Sequence, residues 1–478
     1  MTAGPRASYD ELAVLVQAQQ RLIAAQAAQI EGLQAQVAEL RRRLGLNSTN
    51  SSKPPSSDGL AKPPPRSLRR ASGRRPGKQP GAPGTALSQV DDPDEVVEHR
   101  PVRCVGCRAD LADAPVVGVV RRQVFDLPPV RMAVTEHQLA VCRCACARVT
   151  TAAAPAGVNA PAQYGPQVAA LAAYLVVAQH VPVKRAVQIL ADLCGAGVSV
   201  GWVADQIPRA ARGLTGFAQR VGQAVAAAPV VHFDETGARV AGRNRWVHVA
   251  CTPLLTAYHV DDKRGGQAID AMGVLPALRA GQTAVHDGWM PYLKDCYTDM
   301  AHALCNAHHL RELYGWAEHD PDRHGWAQAL AGLLGEGKAL VEAAAAAGHD
   351  RLDQQVLADL LARWAHGIDV AYAANPPPAG KGRGKILSLV DRLRGFTTEI
   401  WRFAHDFAVP FDNNQAERDL RMVKLQPKIS GGWRTIDGAR HWLRLRSYIS
   451  TAAKHGIHTL TALRDAVTGN PWLPPLPT

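Results

Sequence analysis

The stretch PVVHFDETGARVAGRNRWVHVACT, residues 229–252, decides how this chain is read. An apolar, β-branched run leads to the acid Asp234, and a second run of the same kind, RWVHVACT, follows. Runs of this composition mark strands. Two further runs lie downstream, LTAYHVDD (255–262) and QTAVHDGW (282–289), with the short helical segment GQAIDAMGVL (266–275) between them. HALCNAHH (302–309) begins a fifth element.

Three antiparallel strands, a helix and another strand make a ribonuclease H-like order. It sets the ends of the first and fourth strands side by side, so Asp234 and Asp287 are expected to face one site. A third acid, Glu417, lies in PFDNNQAERDLRMVK, a charged stretch of helical spacing that Asp412 or Asn413 can cap. One such Asp alone is commonly a turn or capping residue. Three carboxylates from two strands and a helix instead suit Mg²⁺, a hard cation that takes oxygen ligands and substrate phosphates. Two such ions can stabilise the attacking and leaving oxygens of a phosphoryl displacement. Glu417, Arg421 and Lys424 are spaced to share one helix face, so cations can meet phosphates behind a metal-binding carboxylate. A plain i,i+4 ion pair of Glu417 with Arg421 is the simpler reading and is compatible with this one. No Ser-His-Asp set or Walker-type glycine loop is present; GKGRGK lacks the spacing.

The 478 residues suggest about three domains. An apolar fraction of 46% allows a sizeable core. The net charge of +12 is concentrated: residues 41–85 hold eleven Lys/Arg against one acid, Asp58. A block of this kind suits double-stranded DNA, which it binds by releasing counterions. Neither a secretory signal nor an apolar run of membrane-spanning length is read, so the expected location is cytoplasmic and nucleoid-associated, with no membrane partner. The nine Cys then read as reduced thiols or metal ligands.

The expected architecture is multidomain α/β. Residues 9–44 form a coiled coil, with Val16, Ile23, Ile30, Val37 and Leu44 in one seam and Leu12, Leu33 and Leu40 with Gln19 and Gln26 in the other, which points to self-association. Residues 45–90 are a disordered basic linker. A zinc-ribbon-like domain spans 91–155, with the pair Cys104/Cys107, the cluster Cys142/Cys144/Cys146, and strands at RRQVFDLP and MAVTEHQLAVC. Cys144 and Cys146 complete the expected Zn²⁺ set, with Cys142 competing for the place of Cys144. A helical domain spans 160–228. It holds a possible helix-turn-helix for DNA, with Ser199 as N-cap and Pro208 ending or kinking the second helix. The ribonuclease H-like core runs over 229–318 and 403–470, interrupted by an α-helical insertion at 319–402. Arg69, Arg70, Arg74, Arg75, Lys78, Arg421, Lys424 and Arg434 are the candidate DNA contacts.

The chain resembles the insertion-sequence-66 family of DDE transposases over nearly its full length. The resemblance rests on LGLNSTNSSKPPSSD, GRRPGKQPGAPG, Cys104/Cys107, QYGPQVAALAAYL, HVPVKRAVQIL, HFDETGARVAGRNRWVHV, HDGWMPY, CNAHHLREL, PFDNNQAERDLRMVKLQPKISGGWRT and GARHWLRLRSYISTAAKHG. It implies Asp234, Asp287 and Glu417 as a catalytic triad using Mg²⁺ or Mn²⁺. The implied substrate is the terminal inverted repeats of a mobile element, cleaved and then transferred with the help of small companion proteins. An inactive, DNA-binding descendant is the alternative, and a plain nuclease is disfavoured by the coiled coil, basic arm and ribbon. Ala147 stands where the family pattern C-x-C-G has Gly, which leaves Cys142 and Cys144 open as ligands. Cys305 and His308 match the family too; a structural or substrate-positioning role is expected for this lone pair.

Overall fold

The computed structural model describes residues 9–47, 50, 87–128, 130–377 and 384–475. The basic linker, with Arg69, Arg70, Arg74, Arg75 and Lys78, falls almost wholly outside them.

The first helix, α1 (Tyr9–Gly45), covers the expected coiled coil in a single run. Its seam residues Val16, Ile23, Ile30 and Leu40 are about half exposed, so no other described part of this chain covers them. In the cysteine-bearing segment the only strands among the described residues are β1 (Val141–Arg143) and β2 (Val149–Thr151), paired antiparallel. The longer strands expected at RRQVFDLP and MAVTEHQLAVC are not formed. Their apolar side chains, Val124, Leu127 and Val134, are almost fully exposed, so no layer lies against them to reward pairing.

Four helical segments follow: α2 (Pro166–Ala173), which runs into a π-turn at Tyr174–Ala178, then α3 (Val183–Cys194), α4 (Val200–Gly213) and α5 (Thr215–Ala226). α3 and α4 are consecutive helices joined by the short segment 195–199. Gly195 ends α3 with φ of 65°, and Ser199 caps α4 by accepting from the Trp202 N–H at 3.1 Å. Pro208 does not end α4. The helix runs on through buried Ala210 and Ala211, and Arg444 donates to the Ala211 carbonyl at 3.0 Å.

The central sheet is mixed, with strand order β5-β4-β3-β6-β7. β3 (Val230–Val240), β4 (Arg243–Cys251) and β5 (Thr256–Asp261) form an antiparallel meander, turned at Ala241–Gly242 with positive φ at both residues. After α6 (Gly266–Met272), β6 (Thr283–His286) lies parallel to β3, and β7 (Ala301–Leu304) parallel to β6. The expected adjacency of first and fourth strands is therefore present.

Beyond β7 the chain leaves the sheet in α7 (Asn306–His319), α8 (Gly325–Ala346), α9 (Gln354–Ala374), α10 (Lys385–Gly395), α11 (Thr397–Ile400) and α12 (Arg402–His405). These helices close over their own core, centred on Trp364, Trp401 and Leu313. The chain then returns in α13 (Asn414–Ser430), α14 (Ile436–Lys454) and α15 (Thr459–Val467). Their apolar faces join the core cluster that also holds Phe233, Val247 and Val249 of the sheet. A buried ion pair fastens them: Lys454 Nζ meets Asp419 Oδ2 at 2.8 Å and donates to Thr256 Oγ1 at 2.7 Å. No described helix is long and apolar enough to cross a membrane.

Candidate metal centre

Strand register decides the geometry of the site. His232 pairs with Val285 in the parallel β3–β6 ladder, so one step on in each strand pair, and then one more, brings Asp234 level with Asp287. The β6–β7 ladder pairs His286 with Leu304, which brings Asp287 level with Cys305. The three residues form one row across the carboxyl ends of β6 and β7.

Side-chain alternation then assigns the faces. Phe233 and Glu235 point to the face where Tyr292 lies; Tyr292 Oη donates to Glu235, and its ring lies near that of Phe233. His232 and Asp234 point to the opposite face, which α13 covers. There Asn413, the residue before α13, meets His232 Nδ1 with Oδ1 at 2.9 Å and donates from Nδ2 to the Phe233 carbonyl at 2.7 Å. Asn413 therefore does not cap α13 with its side chain; both ends of the amide are taken by β3. Asp412 does the local work and accepts from the Asn414 N–H at 3.0 Å.

Asp234 sits in a field that favours a cation. Burial pushes its pKa up to about 7, with the charges of Glu235 and Asp287 adding to the rise and Lys424 opposing it. Glu235 is raised too, chiefly by burial, and is held by Arg264, whose Nε lies 2.7 Å from Oε1. Arg264 in turn stacks over Trp289 at 4.1 Å and Trp246 at 5.0 Å. Asp287 accepts the Trp289 N–H at 2.9 Å, a local Asx-type turn that ties its carboxylate to the following loop. Two carboxylates on one row, one of them reluctant to ionise unaided, are a donor set that suits a hard divalent cation.

Glu417 lies in the first turn of α13, on the same side of the sheet. Its near neighbours differ from those expected. Its ion pair is with Arg311 of α7, at 3.8 Å, and not with Arg421. One ligand atom each from Cys305, His308 and Glu417 lies within 4.8 Å of the others, the only such group of three among the described residues. Cys305 is buried and accepts the Asn413 N–H at its Sγ, at 3.2 Å. Burial and then the Glu417 charge push its thiol up to about 12. Arg421, Lys424 and Arg434 are exposed.

The two cysteine pairs form tight turns. Arg108 N–H donates to the Cys104 carbonyl and Ala147 N–H to the Cys144 carbonyl, each at 2.9 Å. The N–H of Cys107 holds the Cys104 thiol below its ordinary range, and that of Cys146 does the same for Cys144. Cys144 thus pairs with Cys146, whereas Cys142 lies in β1 opposite Thr150. Ala147 carries φ of 69° and Arg108 φ of 63°, which explains why glycine is at home in this position. The pairs Cys104/Cys107 and Cys144/Cys146 do not converge on a common point.

Sequence reasoning missed Glu235, Asn413 as a tie, and Arg311. The signal for the first was the doubled acid in HFDETG; the other two carry no local signal.

A family model described as Transposase IS66 family matches residues 161–441, which include Asp234, Asp287, Cys305 and Glu417. The chain belongs to this family of transposases. The match begins after the cysteine-bearing segment and ends within α14. Residues 4–88 match a second model, a family of unknown function designated DUF6444. No curated protein matches the chain.

Proposed function

We propose that this transposase binds the terminal inverted repeats of an insertion sequence and carries out metal-dependent strand cleavage and strand transfer. The proposed centre is Asp234, Asp287 and Glu417. The observation that carries the reading is the row: two aspartates level on neighbouring parallel strands, on the sheet face covered by the helix that bears Glu417. The strand order is that of ribonuclease H-like cores, which supports it.

Mg²⁺ or Mn²⁺ held there would supply charge stabilisation for the attacking and leaving oxygens of the displaced phosphodiester. Asp234 and Asp287 offer oxygen ligands from neighbouring strand ends, and Glu417, which lies within 4.8 Å of Cys305 and His308, would draw in toward them to complete the centre. Lys424, whose charge reaches Asp234, and Arg421 one turn earlier face outward, where a DNA backbone can meet them. The basic segment 41–85 adds affinity without sequence preference, and α1 pairs two copies so that two ends are handled together. The two cysteine pairs would have to draw together to hold a structural Zn²⁺.

The test is a cleavage and strand-transfer assay on labelled transposon-end DNA with Mg²⁺ or Mn²⁺. Wild type nicks and joins; Glu417→Gln binds the ends but does neither. Normal cleavage by Glu417→Gln would remove Glu417 from the centre.

A further inference from the structure

Cys305, His308 and Glu417 offer sulfur, nitrogen and oxygen to one point, a donor set unlike the paired aspartates beside it. Cys305 lies between β7 and α7 and His308 in the first turn of α7, so their separation is fixed by a strand-to-helix junction. The Cys305 Sγ already receives a backbone N–H from Asn413, the kind of second contact that orients a metal-bound thiolate. His308 Nδ1 is buried with no hydrogen-bond partner, and a buried imidazole nitrogen without a partner is costly unless something takes its lone pair or proton. Glu417 is held only loosely on its other side, by Arg311 at 3.8 Å. Once the incoming ion has displaced the Cys305 proton to solvent, these three ligands, one of them a thiolate, suit Zn²⁺ and exclude Mg²⁺ as a preferred occupant.

We infer that Cys305, His308 and Glu417 form a thiophilic Zn²⁺ site that shares Glu417 with the carboxylate centre, so that Zn²⁺ bound here withdraws Glu417 and inhibits strand cleavage. The binding half stands on the three ligands alone; the inhibitory half rests on the proposed role of Glu417.

Co²⁺ is the probe, titrated into the full-length chain and followed by its thiolate charge-transfer and ligand-field absorption. The cysteine pairs near the N-terminus contribute their own signal, so the reading is the difference between wild type and Cys305→Ser, which keeps an acceptor for the Asn413 N–H. The expected result is loss of one bound ion and of its share of the charge-transfer band. Glu417→Gln, a near-isosteric change at a half-buried position, weakens the same ion by at least ~10-fold, since losing even an outer-shell partner costs that much. Identical Co²⁺ spectra and stoichiometry in wild type and both variants would overturn the site. Zn²⁺ is then added to the Mg²⁺-dependent cleavage reaction. Inhibition of wild type supports the shared-ligand inference; Zn²⁺ bound through Cys305 with Mg²⁺-dependent cleavage undiminished overturns it. Failure of the carboxylate reading is seen separately, as cleavage that survives Asp234→Asn.

Discussion

Asn413 Oδ1 lies 2.9 Å from His232 Nδ1, two residues before Asp234 on the same strand face. With Nδ2 donating to the Phe233 carbonyl, one buried amide fastens the start of α13 to the strand that carries the first carboxylate. Burial keeps the His232 imidazole below its ordinary pKa, so it is neutral near pH 7 and donates from Nδ1 to the amide oxygen.

Asn413→Ala removes both bonds and leaves two buried polar groups without partners. The expected cost is about 2–4 kcal/mol. A urea melt should show a lower midpoint with an unchanged slope; an unchanged midpoint would mean that α13 is docked by its apolar face alone.

Asp234 gives a pH signature. Its folded-state pKa is raised from 3.8 to about 7, so the folded chain holds this proton more tightly than the unfolded chain does. The resulting stabilisation is full below the unfolded value and is lost as pH climbs through that window. Without divalent cation, wild type should therefore lose melting temperature across it relative to Asp234→Asn. Mg²⁺ should recover the loss at about pH 8 and have little effect at about pH 5. Parallel melting curves for the two proteins would contradict the assigned shift.

In the helical layer, a Cβ added at Gly337 would stand 2.5 Å from the fully buried Trp401 ring. Gly337→Ala is expected to destabilise by about 1–3 kcal/mol through overpacking. Calorimetry on the whole chain would register it as a lowered transition; no change would mean that Trp401 has room to turn.

At the second cysteine turn, Ala147→Gly relieves a left-handed backbone. It should stabilise the turn by about 1 kcal/mol. Slower zinc loss to a chelator is the measure, and faster loss would count against the pair Cys144/Cys146 as ligands.

Deleting residues 41–85 removes eleven cations. The slope of log affinity against log salt should flatten by nearly one unit for each phosphate that is no longer neutralised. An unchanged slope would leave the segment without a role in DNA binding.

The strands were legible because β-branched runs ending in acids are a local signal, and their order implied which ends would meet. The level placement of Asp234 and Asp287 was legible for that reason. The surroundings of Glu417 were not legible, because Arg311 and Cys305 lie more than a hundred residues upstream of it. The i,i+4 rule pointed to Arg421, yet the tertiary neighbour has the closer approach. Asn413 read as a cap because Asn before a helix usually is one; its tie to β3 depends on a strand far off in sequence. The strands expected around the cysteines failed because alternating composition forms a sheet only when another layer covers it.

Between Cys305 and Asn413 the chain makes an excursion of 108 residues and comes back to within 3.2 Å of where it left. The return is sealed at its base by Asn306, whose backbone N–H donates to the Phe411 carbonyl and whose side-chain amide donates to that of Ile400. Such a closed detour costs only logarithmically more as it lengthens, so its helices can be trimmed or extended with little effect on the row beneath. It also imposes a sequence in time. During synthesis both aspartates emerge well before Glu417, and the helix that carries it can dock only after the detour has closed. A half-made chain therefore holds both aspartates and lacks Glu417.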